Sequence, residues 1–188
     1  MASSHPLTHD PTLHGRPQPR TAVISGATGG LGPVLARHFE DQGCQLLLPV
    51  RGDTSEAQAA FPDATVVQAD LTVPEEARHV ASVAQETWGT TDAVVNVAGG
   101  FAAGSALTLE PATLERQLDL NLRTAVNLTT TFLPSLVKAG RGAIVGISAS
   151  AARGASNVSA YAASKQRSRR TCDRCTPRCK RTALRSPS

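Results

Sequence analysis

The sequence predicts an α/β protein built on a doubly wound parallel sheet. Three observations carry this. Short apolar runs alternate with longer stretches of helical periodicity from Thr21 to Lys165. The runs are apolar almost throughout, as strands covered on both faces are. The first run ends in a glycine-rich turn, "SGATGGLG", that opens a helical pattern.

The elements follow in order. "TAVIS" is the first strand. "GPVLARHFEDQG" is a helix, with Pro33 suited to a first turn and Gly43 to a stop. "CQLLLPV" and "ATVVQA" are buried strands. "PEEARHVASVAQETWG" is a helix leading to the strand in "DAVVNVAGG". "PATLERQLDLNLRTAVNLTTTFLPSLVKAG" is one long helical pattern, and "GAIVGIS" is a fifth strand. "SAYAASK" is helix-like. No internal repeat is evident.

Length and composition bound the function. With 188 residues the chain is long enough for one domain with a real core. No apolar run approaches the roughly 20 residues that span a bilayer. The start, "MASSHPLTHDPTLHGRPQPR", has no apolar signal core, so a soluble cytoplasmic protein is expected. Four prolines and three histidines before Arg20 make residues 1–19 a disordered tail, with metal binding by those histidines the lesser reading. The net charge of +4 is uneven. Residues 166–188 hold seven Arg, one Lys and one Asp, a net of +7, which leaves the body at −3. Cys172, Cys175 and Cys179, three of the four cysteines, lie there too.

The glycine turn is a candidate ligand cradle. Gly26, Gly30 and Gly32 let the backbone turn tightly, and the helix that follows offers free N–H groups and positive dipole to a phosphate. The fingerprint G-x-G-x-x-G is not matched, because Leu35 stands at its last glycine. Other polar residues recur at the carboxyl ends of strands, where ligands bind in such folds. Asp70 ends the third strand, Asn96 with Ala98 and Gly99 the fourth, and Ser148 the fifth. Asn121 lies within the long helix. Tyr161 and Lys165 are four apart on one helix face. Each alone has a bland reading as turn residue, cap or solvated charge. Their order and spacing together do not.

These residues resemble the short-chain dehydrogenase/reductase family. "SGATGGLG" is similar to its TGxxxGxG, with Ser25 for Thr. "NVAG" is similar to NNAG, with Val97 for the second Asn, and "YAASK" matches YxxxK. Ser148 lies thirteen residues before Tyr161, the usual interval. The resemblance covers roughly residues 20–165. It implies a Rossmann-type NAD(P)-binding domain, incomplete at the C-terminus, that moves hydride between a nicotinamide cofactor and a carbonyl or alcohol. Tyr161 is then the acid–base, Lys165 lowers its pKa and holds the nicotinamide ribose, Ser148 bonds the substrate oxygen, and Asn121 holds a relay water. An unassisted phenol, with a pKa near ~10, is a poor base at neutral pH, and a nearby ammonium favours the phenolate. Tyr161 is the only tyrosine in the chain. The cofactor-binding set implied is Gly26, Thr28, Gly30, Leu31, Gly32, Arg51, Asp70, Leu71, Asn96, Ala98, Gly99, Tyr161 and Lys165. Alignment puts Val50 where NAD users of the family carry an acid, with Arg51 next. Arg51 suits a 2′-phosphate, so NADP is expected over NAD, and Asp53 keeps NAD open. The partners expected are a small carbonyl or alcohol substrate, no nucleic acid, no membrane, and a homo-oligomer for an intact parent.

The tail after Lys165 has three readings. Its cysteines lack a fourth metal ligand and standard zinc spacing. As a basic arm for nucleic acid it has no aromatic and no folded module. The favoured reading is a frameshift that makes 166–188 an aberrant tail. Cysteine codons begin TG, and loss of one base near codon 165 makes each TG the end of an original Leu, Val or Met codon. Cys172, Cys175 and Cys179 then conceal apolar residues, and Ser168 conceals another four positions earlier. That spacing belongs to an amphipathic helix. Losing about four buried apolar residues at roughly 1.5–3 kcal/mol each removes stability comparable to a domain's total of about 5–15 kcal/mol. Poor stability and little or no activity are therefore expected of these 188 residues. The alternative function is a catalytically inactive nucleotide-binding protein.

Overall fold

The computed structural model describes residues 18–153 and 156–174, with the backbone alone at 153 and 167–174. Five parallel strands form one sheet in the order β3-β2-β1-β4-β5. They are β1 (Thr21–Ser25), β2 (Gln45–Val50), β3 (Thr65–Gln68), β4 (Ala93–Asn96) and β5 (Ala143–Gly146). Val23 pairs with Leu47 on one side and Val94 on the other, which fixes the central register. The chain runs outward from β1 to β3, then returns to place β4 on the opposite side of β1. The strand order therefore reverses between β1 and β4, the point where such sheets open a crevice.

Alternate strand residues feed two cores. Val23, Leu47, Val67 and Val94 join α3 (Pro74–Trp88) and α5 (Thr124–Ala139) on one face, through Val80, Leu128 and Phe132. Ala22, Ile24, Leu46, Leu48 and Val95 join Ala36 of α1 (Gly32–Asp41) and Phe61 on the other. Strands buried on both faces have no polar side to display, which is why these runs are apolar throughout. Pro49 lies in β2 beyond its register with β1, where a missing N–H costs that ladder nothing.

At the amino edge Asp92 ties three strands together. It accepts the Arg20 N–H (2.9 Å), pairs with Arg141 (2.8 Å), and its carbonyl accepts from Ala143 (2.9 Å).

Several expectations need correction. A short helix, α2 (Ser55–Ala60), was not anticipated. It starts where Asp53 accepts hydrogen bonds from the Ser55 N–H and hydroxyl (2.9 and 2.8 Å). The long helical pattern is α4 (Pro111–Leu118), a π-helical turn (Asp119–Arg123) and α5. The wider turn carries Asn121 inward, where it is only 1% exposed. Thr124 Oγ1 donates to the Leu120 carbonyl (2.8 Å), giving that carbonyl a partner within the wide turn. β3 stops at Gln68 and β5 at Gly146, so Asp70 and Ser148 stand just beyond their strands rather than at the strand ends. Coverage of both faces holds at the centre of the sheet but not at β5. This is the edge strand, and its Val145 is 42% exposed.

The last helix, α6 (Ser159–Arg174), carries Tyr161 and Lys165 and continues as backbone to Arg174. The expected disordered segment, for residues 1–17, and the concealed apolar positions 175 and 179 lie outside the described residues.

Candidate active site

The sheet's carboxyl edge opens into a cleft of about 290 Å³ at the β1/β4 switch point. Its floor is the glycine turn. Gly26 has φ +74°, and a methyl group there would meet the Ala98 backbone at 2.7 Å. A methyl group on Gly32 would overlap the Gly26 carbonyl. Both glycines are therefore required by the chain itself. Gly30 is different: a Cβ there would meet no protein atom within 4 Å. It lines the open cleft, and packing does not require its bareness.

Ser25 holds the two sides of the floor together. Its hydroxyl accepts from the N–H groups of Val97 (3.1 Å) and Ala98 (3.2 Å) and donates to the Val95 carbonyl (3.4 Å). A hydroxyl is needed here, and Ser supplies it as Thr would. The α1 amino end begins at Leu31 with no side-chain cap, leaving its first N–H groups available to an anion.

The wall opposite is built on α6 and the π-helical turn. Lys165 is 7% exposed, and its Nζ donates to the Ile147 carbonyl (3.3 Å). Burial pushes its pKa below the ordinary lysine value. Nζ lies 5.9 Å from the Tyr161 ring centroid, so the pair expected from the spacing does meet. Asn121 uses its whole side-chain amide. Oδ1 accepts the Gly100 N–H (3.1 Å), while Nδ2 donates to the Gly100 carbonyl (2.9 Å) and Gln117 Oε1 (3.1 Å). Gly99 has no room for a side chain, since a Cβ would stand 2.5 Å from Asn121 Oδ1 and 3.1 Å from Lys165 Nζ.

Of the expected residues, Gly26, Gly30, Leu31, Gly32, Ala98, Gly99, Asn121, Tyr161 and Lys165 line this one cleft. Others do not. Ser148, expected to bond the substrate oxygen, is exposed and not among the lining residues. Asn96 is 5% exposed and turned inward, donating to Thr129 Oγ1 (3.1 Å), with its Oδ1 left without a hydrogen-bond partner. Leu71 is a core side chain packed among the residues of α3 and α5. Thr28 is exposed on the turn.

Asp70 closes a tight loop. Its Oδ1 accepts the Thr72 N–H (2.9 Å) and hydroxyl (2.7 Å). Burial alone would raise its pKa, but these bonds and the nearby Arg51 outweigh that and hold it below the ordinary value. Arg51 and Thr72 line a second cleft of about 550 Å³, together with Arg116 and Leu120 of the opposite helices. Among the described residues, neither Arg51 nor Arg116 has an ion-pair partner.

Sequence reasoning missed Gly29, Val97, Gly100, Phe101 and Ile147 in the main cleft. The doublets Gly29-Gly30 and Gly99-Gly100 were the available signal for two of them. Phe101 packs edge-to-face on Tyr161, with centroids 5.1 Å apart. Among the described residues there is no cluster of three metal-binding side chains, and no helix is long and apolar enough to cross a membrane. Cys175 and Cys179 lie outside that description.

An uncapped helix end, an unfilled glycine cradle and a buried amine along one switch-point cleft fit a dinucleotide, and place the protein in the nucleotide-binding class of α/β folds. The short chain dehydrogenase family profile matches residues 20–171, and the chain belongs to that family. It is 27% identical over 175 residues to a short chain dehydrogenase of Pseudocercospora fijiensis, covering 88% of this chain and 56% of that protein. It is 31% identical over 131 residues to the oxidoreductase UcpA of Salmonella typhimurium, covering 67% and 50%. A crystal structure of a short-chain dehydrogenase from Streptomyces avermitilis superposes with a TM-score of 0.75 at 25% identity, covering 81% of this chain and 58% of that one. The chain spans about half the length of the curated relatives it matches.

Proposed function

We propose that residues 20–165 form a nicotinamide-dinucleotide site whose chemistry is hydride transfer between the cofactor and a carbonyl or alcohol. The observation that carries this reading is the shared cleft in which Tyr161 and Lys165 face the glycine turn. The cofactor would supply or accept the hydride. The uncapped α1 amino end and Gly30 would receive its phosphates, and Lys165 would hold the ribose nearest Tyr161. Tyr161 donates its hydroxyl proton to the carbonyl oxygen in reduction and recovers it in oxidation. Burial already weakens the hold of Lys165 on its proton, which suits it to re-protonate the phenolate. The Asn121 amide is committed to Gly100 and Gln117, so a relay water would fall to its main-chain carbonyl.

NADP is the preferred form. Arg51 and Arg116 share one cleft with Glu115 and Asp119, and among the described residues neither guanidinium has an ion-pair partner, which leaves Arg51, next after β2, free to meet a 2′-phosphate. Asp53, the residue that would favour NAD, commits both carboxylate oxygens to Ser55.

A second reading, nucleotide binding without turnover, is favoured by the exposed Ser148 outside the cleft. One experiment separates the two. NADPH and NADH are titrated against the full chain by fluorescence, and turnover of a ketone panel is compared with Tyr161→Phe. Tighter NADPH binding with turnover abolished by Tyr161→Phe supports the first reading. Binding without turnover supports the second. Tighter NADH binding refutes the NADP preference, and binding of neither refutes both readings.

A further inference from the structure

Phe101 is 65% exposed, although it lies in the wall of the cleft that holds Tyr161. Large apolar side chains left open in a ligand cleft are where binding sites find apolar area. Its position is fixed on both sides. The preceding residue, Gly100, has its N–H and carbonyl both held by the Asn121 amide, at 3.1 and 2.9 Å. Three residues later, Gly104 bridges to Val158, donating to the Asn157 carbonyl (2.7 Å) and accepting from Ser159 (3.1 Å). The loop is thus stapled to the π-helical turn at one end and to the start of α6 at the other. The Phe101 ring meets Tyr161 at 75°, so the two rings form a corner. Both rings line the one cleft, so a carbonyl compound held at the Tyr161 hydroxyl would lie beside the Phe101 ring.

We propose that Phe101 is a substrate-contacting residue that selects carbonyl compounds bearing a flat, apolar, aryl-type group. This rests on the reading of Tyr161 as the acid–base of the site. A stacked or edge-to-face aromatic contact contributes beyond simple area burial. A small polyhydroxylated ketone gains nothing from it and loses hydration against the exposed ring.

Tyr161 is the only tyrosine, so ring-labelled tyrosine gives one assignable NMR reporter at the reacting group. The full chain so labelled is titrated with acetophenone and with dihydroxyacetone, each with and without NADPH, whose binding is followed by its own fluorescence. The expected result is a Tyr161 shift with acetophenone binding about tenfold tighter than dihydroxyacetone. Phe101→Ala should weaken acetophenone about five- to tenfold and shift dihydroxyacetone by less than about twofold. Phe101→Trp should keep the aryl preference. Because the side chain is mostly exposed, the melt of Phe101→Ala should match that of the parent within about 2 °C. Equal affinity for the two ketones, or equal loss for both in Phe101→Ala, overturns the proposal, as does a Tyr161 signal that neither ketone moves. Aryl preference that persists while NADPH fails to bind overturns the cofactor reading and supports this one.

Discussion

Gly30 and Gly32 stand in one turn, yet a methyl group added to each should have opposite consequences. At Gly32 the new Cβ would overlap the Gly26 carbonyl oxygen and stand 2.6 Å from its carbon and 2.8 Å from Ala27 Cα. All three are backbone atoms in the floor of the fold, so the chain must move. Overpacking of this kind costs about 1–3 kcal/mol, and rigid backbone on every side puts Gly32→Ala at the upper end. For a chain of this size that lowers Tm by about 5–10 °C. At Gly30 the Cβ meets nothing within 4 Å. Stability should stay within about 0.5 kcal/mol of the parent, because no native contact is strained. The same methyl group fills the cradle beside the α1 amino end. NADPH should therefore bind at least about tenfold more weakly to Gly30→Ala, a loss of about 1.4 kcal/mol. Thermal melts and NADPH fluorescence titrations of the two variants decide the matter. If Gly30→Ala melts as low as Gly32→Ala, or binds NADPH as the parent does, the separation of packing glycine from ligand glycine is wrong.

Two further outcomes follow from the hydrogen bonding. Asn121→Ala leaves the Gly100 N–H and carbonyl without their partners, at a cost of about 2–4 kcal/mol in urea denaturation. A loss below about 1 kcal/mol would show that the amide does not hold the loop. Asp70 has a folded pKa held below its ordinary value, so its stabilisation is complete above that ordinary value and is lost as pH falls through the folded one. Asp70→Asn should be less stable at neutral pH and show a flatter loss of stability as pH falls below the ordinary carboxylate range. A pH profile parallel to that of the parent would count against the Asp70–Thr72 loop as a stabilising element.

The expected loss of stability from the aberrant tail meets the structure only in part. α6 runs on to Arg174, so the segment after Lys165 continues the helix that carries the site, at least in its backbone. Poor stability and little or no activity of the full chain remain predictions, and a cooperative melt together with cofactor-dependent turnover would refute them.

Chain order and local pattern determined much by themselves. Continuous apolar runs called for strands covered on both faces, which holds for the central strands and not for β5, and the glycine turn after β1 called for a close backbone approach. The i, i+4 spacing required Tyr161 and Lys165 to share a helix face. These are properties of neighbours in sequence, so periodicity and spacing carry them. Tertiary structure alone decided the rest. Asn121 looked like a residue within a helix, and only packing against Gly100 explains the π-helical turn that carries it inward. Asn96 and Leu71 stand at the ligand edge by sequence, yet their side chains turn into the core, because side-chain direction there is set by α3 and α5. Ser148 has the right interval from Tyr161 but stands outside the cleft beyond the open edge strand. Phe101 carried no signal of its own. Its place beside Tyr161 depends on hydrogen bonds from residues 20 positions and more along the chain, which no local pattern encodes.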